Sequence, residues 1–287
     1  MWDDSDVANV DHYLALWESE MLARRLSART INERLRFIRH IQSLLGCPLS
    51  LGEDDIRSFL ATLAKTKAPT TQFNYHTILR MWFAWLCARG FRDDDPTLVF
   101  GKPRLPRMAP RPAETDHVRT LLSHGNLQTK THMKVLLAAL QGMRTIEIAR
   151  VRGEDVDFVA MKLRILGKGN IDTTVDLHPD VAAFAREHPD KFPLRDWWFP
   201  SPTKPGFHVL PASVSKVLAD AFRRVNLPVT AHQLRHWTAT ELIRRDVPTR
   251  VVQRVMRHSS IQTTEGYTAV ADDRSAEALR RLPHLAP

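Results

Sequence analysis

The first hundred residues alternate stretches of helical hydrophobic periodicity with short breaks that hold serine, glycine or proline. Within each stretch apolar residues recur every three or four positions, which places them on one side of a helix. The stretches cover roughly residues 5–25, 28–46, 52–65 and 70–90. The breaks between them, at Ser27, Gly46-Cys47-Pro48 and Pro69-Thr70, favour helix ends. The pattern therefore predicts an amino-terminal region made of helices alone.

The second stretch separates an apolar face from a basic one. At about 100° per residue, one side collects Ile31, Leu35, Ile38, Ile41 and Leu45. The opposite side collects Arg29, Asn32, Arg36, Arg39 and His40. One face is expected to pack into a core, while the other offers cations and hydrogen-bond donors. An ordinary solvated face is the alternative reading.

The fourth stretch repeats this arrangement with a heavier apolar face. That face holds Ile78, Leu79, Trp82, Phe83, Trp85 and Leu86. Its polar residues are left to reach phosphates or base edges. Two such helices in one region favour contact with DNA. The predicted DNA-contact residues are Arg29, Arg36, His40, Thr70, Thr71, Asn74 and Arg80.

The next segment, "GKPRLPRMAPRPAET" at residues 101–115, indicates a boundary between domains. It contains four prolines and four basic residues. Proline removes an amide donor and extends the residue before it, so this composition predicts a stiff linker. We place the linker at residues 101–112, between a first domain of residues 1–100 and a second of residues 113–287. Its basic residues suit a strap along a phosphate backbone as well as they suit a solvated linker.

Beyond the linker the pattern becomes mixed. Residues 130–141 predict a buried helix, and a short helix is expected to begin near Arg144. The segment "VDFVAMKLRILGKGNIDTTVDLHP" predicts short strands, with "GKGN" at 167–170 as a tight turn. From about residue 211 the chain is helical again. The fold class is therefore mainly α with a small β-sheet.

Charge and composition narrow the partners and the compartment. The formal net charge is +9 and the sequence pI about 9.9, an excess that attracts polyanions and makes nucleic acid the first partner to consider. No apolar run approaches the ~20 residues of a membrane span. The acidic start "MWDDSDV" does not fit a signal peptide, and neither cysteine has metal-ligand spacing. We expect a cytoplasmic protein.

Six residues of the second domain have the chemistry to act on a phosphodiester. They are Arg144, Lys168, His232, Arg235, His258 and Tyr267. Two guanidinium groups can bind the non-bridging oxygens of a phosphate, and these oxygens gain charge during attack at phosphorus. A phenol is mostly protonated at neutral pH, so a nucleophilic tyrosine needs a proton acceptor. Taken singly, each of these residues also has an ordinary structural reading, and Glu147 is expected to brace an arginine.

In their order and spacing these residues resemble the tyrosine recombinase family, also called phage integrases, which shares its catalytic domain plan with type IB topoisomerases. The matching motifs are "GMRTIE", the lysine of "GKGN", "HQLR", and "RH" followed nine residues later by tyrosine. The resemblance covers nearly the whole chain. It implies a helical core-binding domain and a mixed α/β catalytic domain that form a C-shaped clamp on DNA.

The resemblance also implies a reaction. Tyr267 would form a 3′-phosphotyrosyl link, and a free 5′ hydroxyl would later reverse the step. We expect His232 to accept the phenol proton, Lys168 to protonate the leaving 5′ oxygen, and His258 to donate to a phosphate oxygen. The scheme needs no metal or other cofactor. The implied partners are double-stranded DNA with attachment or core-type sites, further copies of the chain as a homotetramer on paired sites, and an accessory directionality factor.

Two features of the chain bear on its place within the family pattern. Arg257 stands where the family commonly has glycine, so it is either strained at a positive φ or adds a phosphate contact. The chain also enters the core-binding helices almost at once, as compact phage integrases and Xer-type recombinases without an arm-binding domain do. We favour phage or mobile-element integration and excision. The alternatives are Xer-like dimer resolution and a catalytically silent DNA-binding architectural protein of the same fold.

Overall fold

The computed structural model describes residues 4–101, 111–124, 126–166 and 172–257. Its backbone divides into two compact units, Met1–Met108 and Ala109–Pro287, which we call the amino-terminal and carboxy-terminal units. Each has a hydrophobic core of its own.

The described part of the amino-terminal unit contains four α-helices: α1 Asp4–Ala23, α2 Ala28–Leu45, α3 Glu53–Thr66 and α4 Pro69–Ala88. All four predicted helices are confirmed to within a few residues. The breaks end helices as expected, since Ser27 Oγ accepts the N–H of Thr30 (3.2 Å) at the start of α2 and Pro69 is the first residue of α4. A short 3₁₀ turn, Leu98–Phe100, follows α4.

The core of the amino-terminal unit joins the apolar faces of these helices. Of the predicted α2 stripe, Ile31, Leu35, Ile38 and Ile41 are at most 4% exposed, and Leu45 is half-buried. Trp82 of α4 is fully buried, and its ring centroid lies 5.1 Å from that of Trp17 in an edge-to-face contact. Burial of such side chains stabilises the unit by about 1.5–3 kcal/mol for each. Arg29, Arg36, Arg39 and His40 consequently remain on the exposed outer face of α2.

In its described residues the carboxy-terminal unit combines helices with one small sheet. Its described helices are α5 Thr115–His124, α6 Thr129–Ala139, α7 Thr145–Ala149, α8 Pro179–Glu187, α9 Pro211–Arg224, α10 Ala231–Arg244 and α11 Thr249–Met256. The strands are β1 Val156–Asp157, β2 Lys162–Leu166 and β3 Asp172–Asp176, paired antiparallel in the order β1-β2-β3. The predicted fold class, mainly α with a small sheet, is confirmed. Of these helices, α5 and α8 had no prediction.

Helix α6 forms the centre of this unit. Seven consecutive residues from Met133 to Ala139 are buried, and α7, α8, α9 and α10 pack around them. A helix that is covered on every side reads as a continuous apolar run, which is why this segment was predicted to be buried. Lys134 is the exception within the run, and its ammonium group lies 4.7 Å from the centre of the Phe199 ring.

Two further observations concern the cysteines and the character of the helices. Cys47 and Cys87 are both free thiols, and both are half-buried. Among the described helices, none combines the length and the apolar character that a membrane crossing requires.

Candidate active site

A tight turn after α6 places Arg144 at the start of α7. Gly142 has a φ of 56°, and a Cβ added there would lie 3.0 Å from the sulfur of Met256. Glycine is therefore required both for the turn and for the close approach of α11. Arg144 then caps α7, with its backbone N–H donating to Glu147 Oε2 (2.8 Å) and its Nη1 donating to Oε1 (2.9 Å). The Arg144 side chain keeps 38% of its surface exposed, so an incoming anion can reach it.

Glu147 is a buried carboxylate shared by three arginines. Besides the bonds from Arg144, its Oε2 lies 2.8 Å from Nη2 of Arg257 and 4.0 Å from Nη1 of Arg235. Burial by itself raises the pKa of Glu147, but the arginine charges and the backbone hydrogen bond outweigh it and hold the pKa below its ordinary value. The expectation that Glu147 braces an arginine is confirmed. We call these three arginines around Glu147 the arginine cluster.

Arg235 lies deeper than the sequence indicated. It is 3% exposed, and its two terminal nitrogens donate to the carbonyl oxygens of Gly142 and Met256. The guanidinium thus joins the turn after α6 to the end of α11. Its position beside Glu147 fits the predicted cationic pocket, while its bonds to backbone carbonyls add a structural role that helical spacing could not show.

His232 lies one turn before Arg235 at the start of α10. Thr230 caps this helix in a reciprocal pair with Gln233, which fixes the turn that carries the imidazole. Partial burial of the ring is the main cause that lowers the pKa of His232, although the residue keeps an exposed surface; the charges of Arg235 and Arg144 lower it further. A histidine with a lowered pKa is neutral at neutral pH and is able to accept a proton.

His236 packs against His232, and sequence reasoning did not single it out. The two rings are edge to face with centroids 4.1 Å apart. Burial, followed by the charges of His232 and Arg235, lowers the pKa of His236 to about 4. The neighbour of the predicted base is therefore neutral as well.

The structure answers the question that the sequence raised about Arg257. It ends α11 in the left-handed conformation, with φ 51° and ψ 44°, which is the conformation that glycine adopts freely. A non-glycine residue there costs about 1–2 kcal/mol. The alternative, an outward phosphate contact, is wrong for this structure, because the side chain is 9% exposed and turns inward to Glu147. The only sequence signal of this role was the departure from glycine.

Lys168, His258 and Tyr267 lie outside the described residues, as do most of the predicted linker and the carboxy-terminal tail. The structure describes their chain neighbours only. Leu166 of β2 pairs with Asp172 of β3, so five residues that include Lys168 join the two strands. His258 follows Arg257 directly in the chain.

Three of the predicted DNA-contact residues share one cavity of the amino-terminal unit. This α2–α4 cavity measures about 710 Å³ and is lined by Arg36, His40 and Asn74, together with Arg34 and Tyr75. Arg36 is exposed and makes no ion pair with any other described residue. The structure thus brings together cations and an amide from the two helices singled out by their polar faces.

The other predicted contact residues have different surroundings. Arg29 is exposed and pairs with Glu33 (2.9 Å), while Thr70 and Thr71 are half-buried in the first turn of α4. Arg80 donates to the carbonyl oxygens of Thr97 (3.2 Å) and Gly101 (2.7 Å), so it braces the chain after α4. Sequence periodicity gave no indication of that bracing role.

Comparisons with known proteins agree with the geometry. Residues 113–274 match the model of the Phage integrase family. The chain is 28% identical to tyrosine recombinase XerD of Rhizobium meliloti strain 1021, over 99% of this chain and 97% of the relative. An integrase from mycobacterium phage Brujita is 36% identical, over 96% of this chain and 93% of the other, with a TM-score of 0.50.

The fold has a further match among solved structures. A lambda integrase dimer bound to a COC′ core site is 15% identical, with a TM-score of 0.73 over 96% of this chain and 80% of that chain. At that identity the match shows a shared fold. The family match itself spans more than half of the sequence and includes all six residues of the predicted catalytic set. The chain therefore belongs to the phage integrase family and is a tyrosine recombinase, an enzyme of site-specific recombination.

Proposed function

We propose that this protein cleaves and rejoins double-stranded DNA through a covalent link on Tyr267, in the integration and excision of a phage or other mobile element. The observation that carries the proposal is the arginine cluster beside a neutral His232. Arg144 and Arg235 converge on Glu147, and both are close enough to His232 to lower its pKa. A phosphate placed there meets fixed positive charge and a proton acceptor.

The proposed reaction is a transesterification. The phenol oxygen of Tyr267 attacks phosphorus, its proton passes to His232, and the bond from phosphorus to the 5′ oxygen breaks. Lys168 protonates that leaving oxygen, which yields a 3′-phosphotyrosyl link and a free 5′ hydroxyl. Attack by a 5′ hydroxyl of a second strand reverses the step and restores the phosphodiester.

Charge stabilisation in this scheme falls to the arginines and His258. Arg144 keeps exposed surface while Glu147 holds it, so it can donate to a non-bridging oxygen without first being ordered. Arg235 supplies a second positive charge from its buried position beside Glu147. His258 donates a hydrogen bond to another non-bridging oxygen of the phosphate. Loss of one such donor typically costs about 3–4 kcal/mol in the barrier.

Besides the catalytic residues, the predicted contact residues bind DNA. The α2–α4 cavity presents Arg36, His40 and Asn74, a set able to reach phosphates and base edges. The net charge of +9 favours the same partner. We further propose that the active assembly is a homotetramer on paired DNA sites; a lambda integrase with the same fold has been solved as a tetramer bound to a Holliday junction.

Two relatives support different biological roles. The integrase from phage Brujita shares 36% identity with this chain, whereas XerD of Rhizobium meliloti shares 28%. The higher identity favours integration and excision. Dimer resolution of the Xer type is the second candidate, because XerD matches 99% of the chain.

A covalent-capture experiment tests the proposal. Purified protein is incubated with a pool of nicked duplexes of randomised sequence, so that cleavage beside the nick releases a short fragment and traps the link. Denaturing gels are expected to show a protein–DNA adduct, and Tyr267→Phe is expected to form none. Sequencing of the trapped DNA gives the target site.

Other outcomes of this experiment decide between the alternatives. A gel shift without any adduct would replace the proposal with a catalytically silent DNA-binding protein. Once the site is known, plasmids that carry it separate the two biological roles. Fusion of two plasmids with one site each supports integration, while reaction confined to two sites on one plasmid supports resolution.

A further inference from the structure

The residue before His258 has two unusual properties in the described structure. Arg257 adopts a left-handed backbone, and its side chain is nevertheless held inside the protein by several bonds. Its Nη2 donates to Glu147 Oε2 (2.8 Å) and to the carbonyl of Gly142 (3.1 Å), and its Nη1 donates to the carbonyl of Val255 (2.8 Å). A helix cap alone requires none of these side-chain bonds.

Glu147 is the point at which Arg257 meets the other two arginines. The carboxylate is 1% exposed, so it must be neutralised by a cation in direct contact. Arg144 supplies such a contact at Oε1 (2.9 Å) and Arg257 at Oε2 (2.8 Å), whereas Arg235 stays 4.0 Å from Oε2. Arg235 instead donates to backbone carbonyl groups.

Arg257 also holds the turn from which Arg144 projects. The carbonyl of Gly142 accepts from both Arg235 and Arg257, and the carbonyl of Arg257 accepts from Nη2 of Arg144 (3.4 Å). One residue thus bonds to the carboxylate, to the turn and to Arg144. A glycine at this position could keep the backbone conformation but would lose the side-chain bonds.

We propose that Arg257 is a positioning residue for strand cleavage: its guanidinium helps to neutralise Glu147, so that Arg144 keeps the geometry in which it binds the scissile phosphate and Arg235 keeps its buried positive charge in place. The inference rests on the proposed function. Without the Arg257 side chain, Oε2 of Glu147 would lose its direct guanidinium contact, and Nη1 of Arg235 lies 4.0 Å from the same oxygen. A move of Arg235 onto that oxygen would take it from the carbonyl groups of Gly142 and Met256 and displace its charge.

The role predicts a loss in rate with little loss in DNA affinity. Displacement of a catalytic group by about 1 Å can cost about a hundredfold in rate. We expect Arg257→Gly to form the Tyr267 adduct about tenfold to a hundredfold more slowly on saturating trapped-site duplex, with a Kd for that DNA within about twofold of the wild-type value. If Arg257 only caps α11, the glycine variant reacts as fast as wild type, because glycine adopts this conformation without strain.

Chemical rescue and a double-mutant cycle test the route through Glu147. Guanidinium ion, at concentrations well below those that unfold proteins, is expected to restore much of the rate of Arg257→Gly. The matched control is Arg224→Ala, an exposed arginine in the last turn of α9, which should keep the wild-type rate with or without the ion. In a Glu147→Gln background, Arg257→Gly should cost far less than it does alone.

The outcomes separate this inference from the proposed function. Absence of an adduct with wild-type protein would overturn the proposed function. A wild-type adduct together with an Arg257→Gly variant of unchanged rate would overturn this inference alone. The inference would also be overturned if Arg257→Gly reacts slowly, guanidinium ion does not restore its rate, and its loss in rate adds to the loss caused by Glu147→Gln. If the glycine variant does not fold, Arg257→Met, which keeps the side-chain volume, replaces it in the same comparisons.

Discussion

Both units of this protein contain arginines, but the arginines lie in opposite environments. In the amino-terminal unit Arg36 is exposed at the α2–α4 cavity and makes no ion pair with any other described residue. In the carboxy-terminal unit Arg235 and Arg257 are almost fully buried around one carboxylate. An exposed charge stays solvated and can be removed at little cost to folding. A buried charge depends on its partner, so function and stability become inseparable there.

The largest expected effect comes from removing the shared carboxylate. Glu147→Gln should lower the free energy of unfolding of the carboxy-terminal unit by about 3–5 kcal/mol, because buried arginines lose their counter-charge. Urea unfolding of the full chain measures this. The matched control is Glu33→Gln, whose exposed ion pair with Arg29 should contribute about 0.5 kcal/mol or less. Equal losses in the two variants would contradict the contrast between the units.

The pH dependence of cleavage gives the next effect. The pKa of His232 is lowered by partial burial and then by the charges of Arg235 and Arg144, so the imidazole stays neutral until the pH falls below its ordinary value near 6.5. We expect the adduct rate at subsaturating DNA to fall about tenfold per pH unit below the lowered pKa. His12→Gln, on the exposed face of α1, should leave that acid limb unchanged. An acid limb that persists unchanged in a His232→Gln variant would exclude His232 as the base.

A buried lysine supplies a smaller effect in the same unit. Burial and the charge of Lys130 lower the pKa of Lys134 from 10.5 to about 8. Between these values the unfolded chain binds more protons than the folded chain, so stability should rise as the pH increases from about 8 to about 10.5. Lys134→Met should remove this rise and add on the order of 1 kcal/mol at neutral pH. Urea unfolding at several pH values, with Lys216→Met, an exposed lysine of α9, as the control, would detect it.

The smallest effect on folding is expected at the exposed cavity. Arg36→Ala should leave stability within about 0.5 kcal/mol of wild type and weaken DNA binding severalfold. If Arg36 contacts a phosphate, the slope of log K against log salt should become shallower by about 0.9. Arg24→Ala, an exposed arginine paired with Glu20 on α1, should keep the wild-type slope. An unchanged slope for Arg36→Ala would remove this residue from the predicted contact set.

The sequence predicted the amino-terminal unit more fully than the arginine cluster. The α2 stripe and the helix breaks at Ser27 and Pro69 act through neighbours within a few residues, so periodicity and capping rules identify them. The same rules could not show that Arg80 bonds to the carbonyl groups of Thr97 and Gly101. Those partners lie 17 and 21 residues away and follow a change in chain direction.

The sequence by itself determined the order and type of the residues suited to phosphate chemistry, from Arg144 to Tyr267, because motifs preserve residue type and spacing. Only the tertiary structure decided what the arginines contact. The bond between Arg257 and Glu147 joins residues 110 positions apart. The bond forms because the Gly142 turn packs against the end of α11. A charge buried between these segments is unfavourable unless an opposite charge contacts it. No local pattern contains that information, since the requirement arises only when distant segments exclude water from the same place.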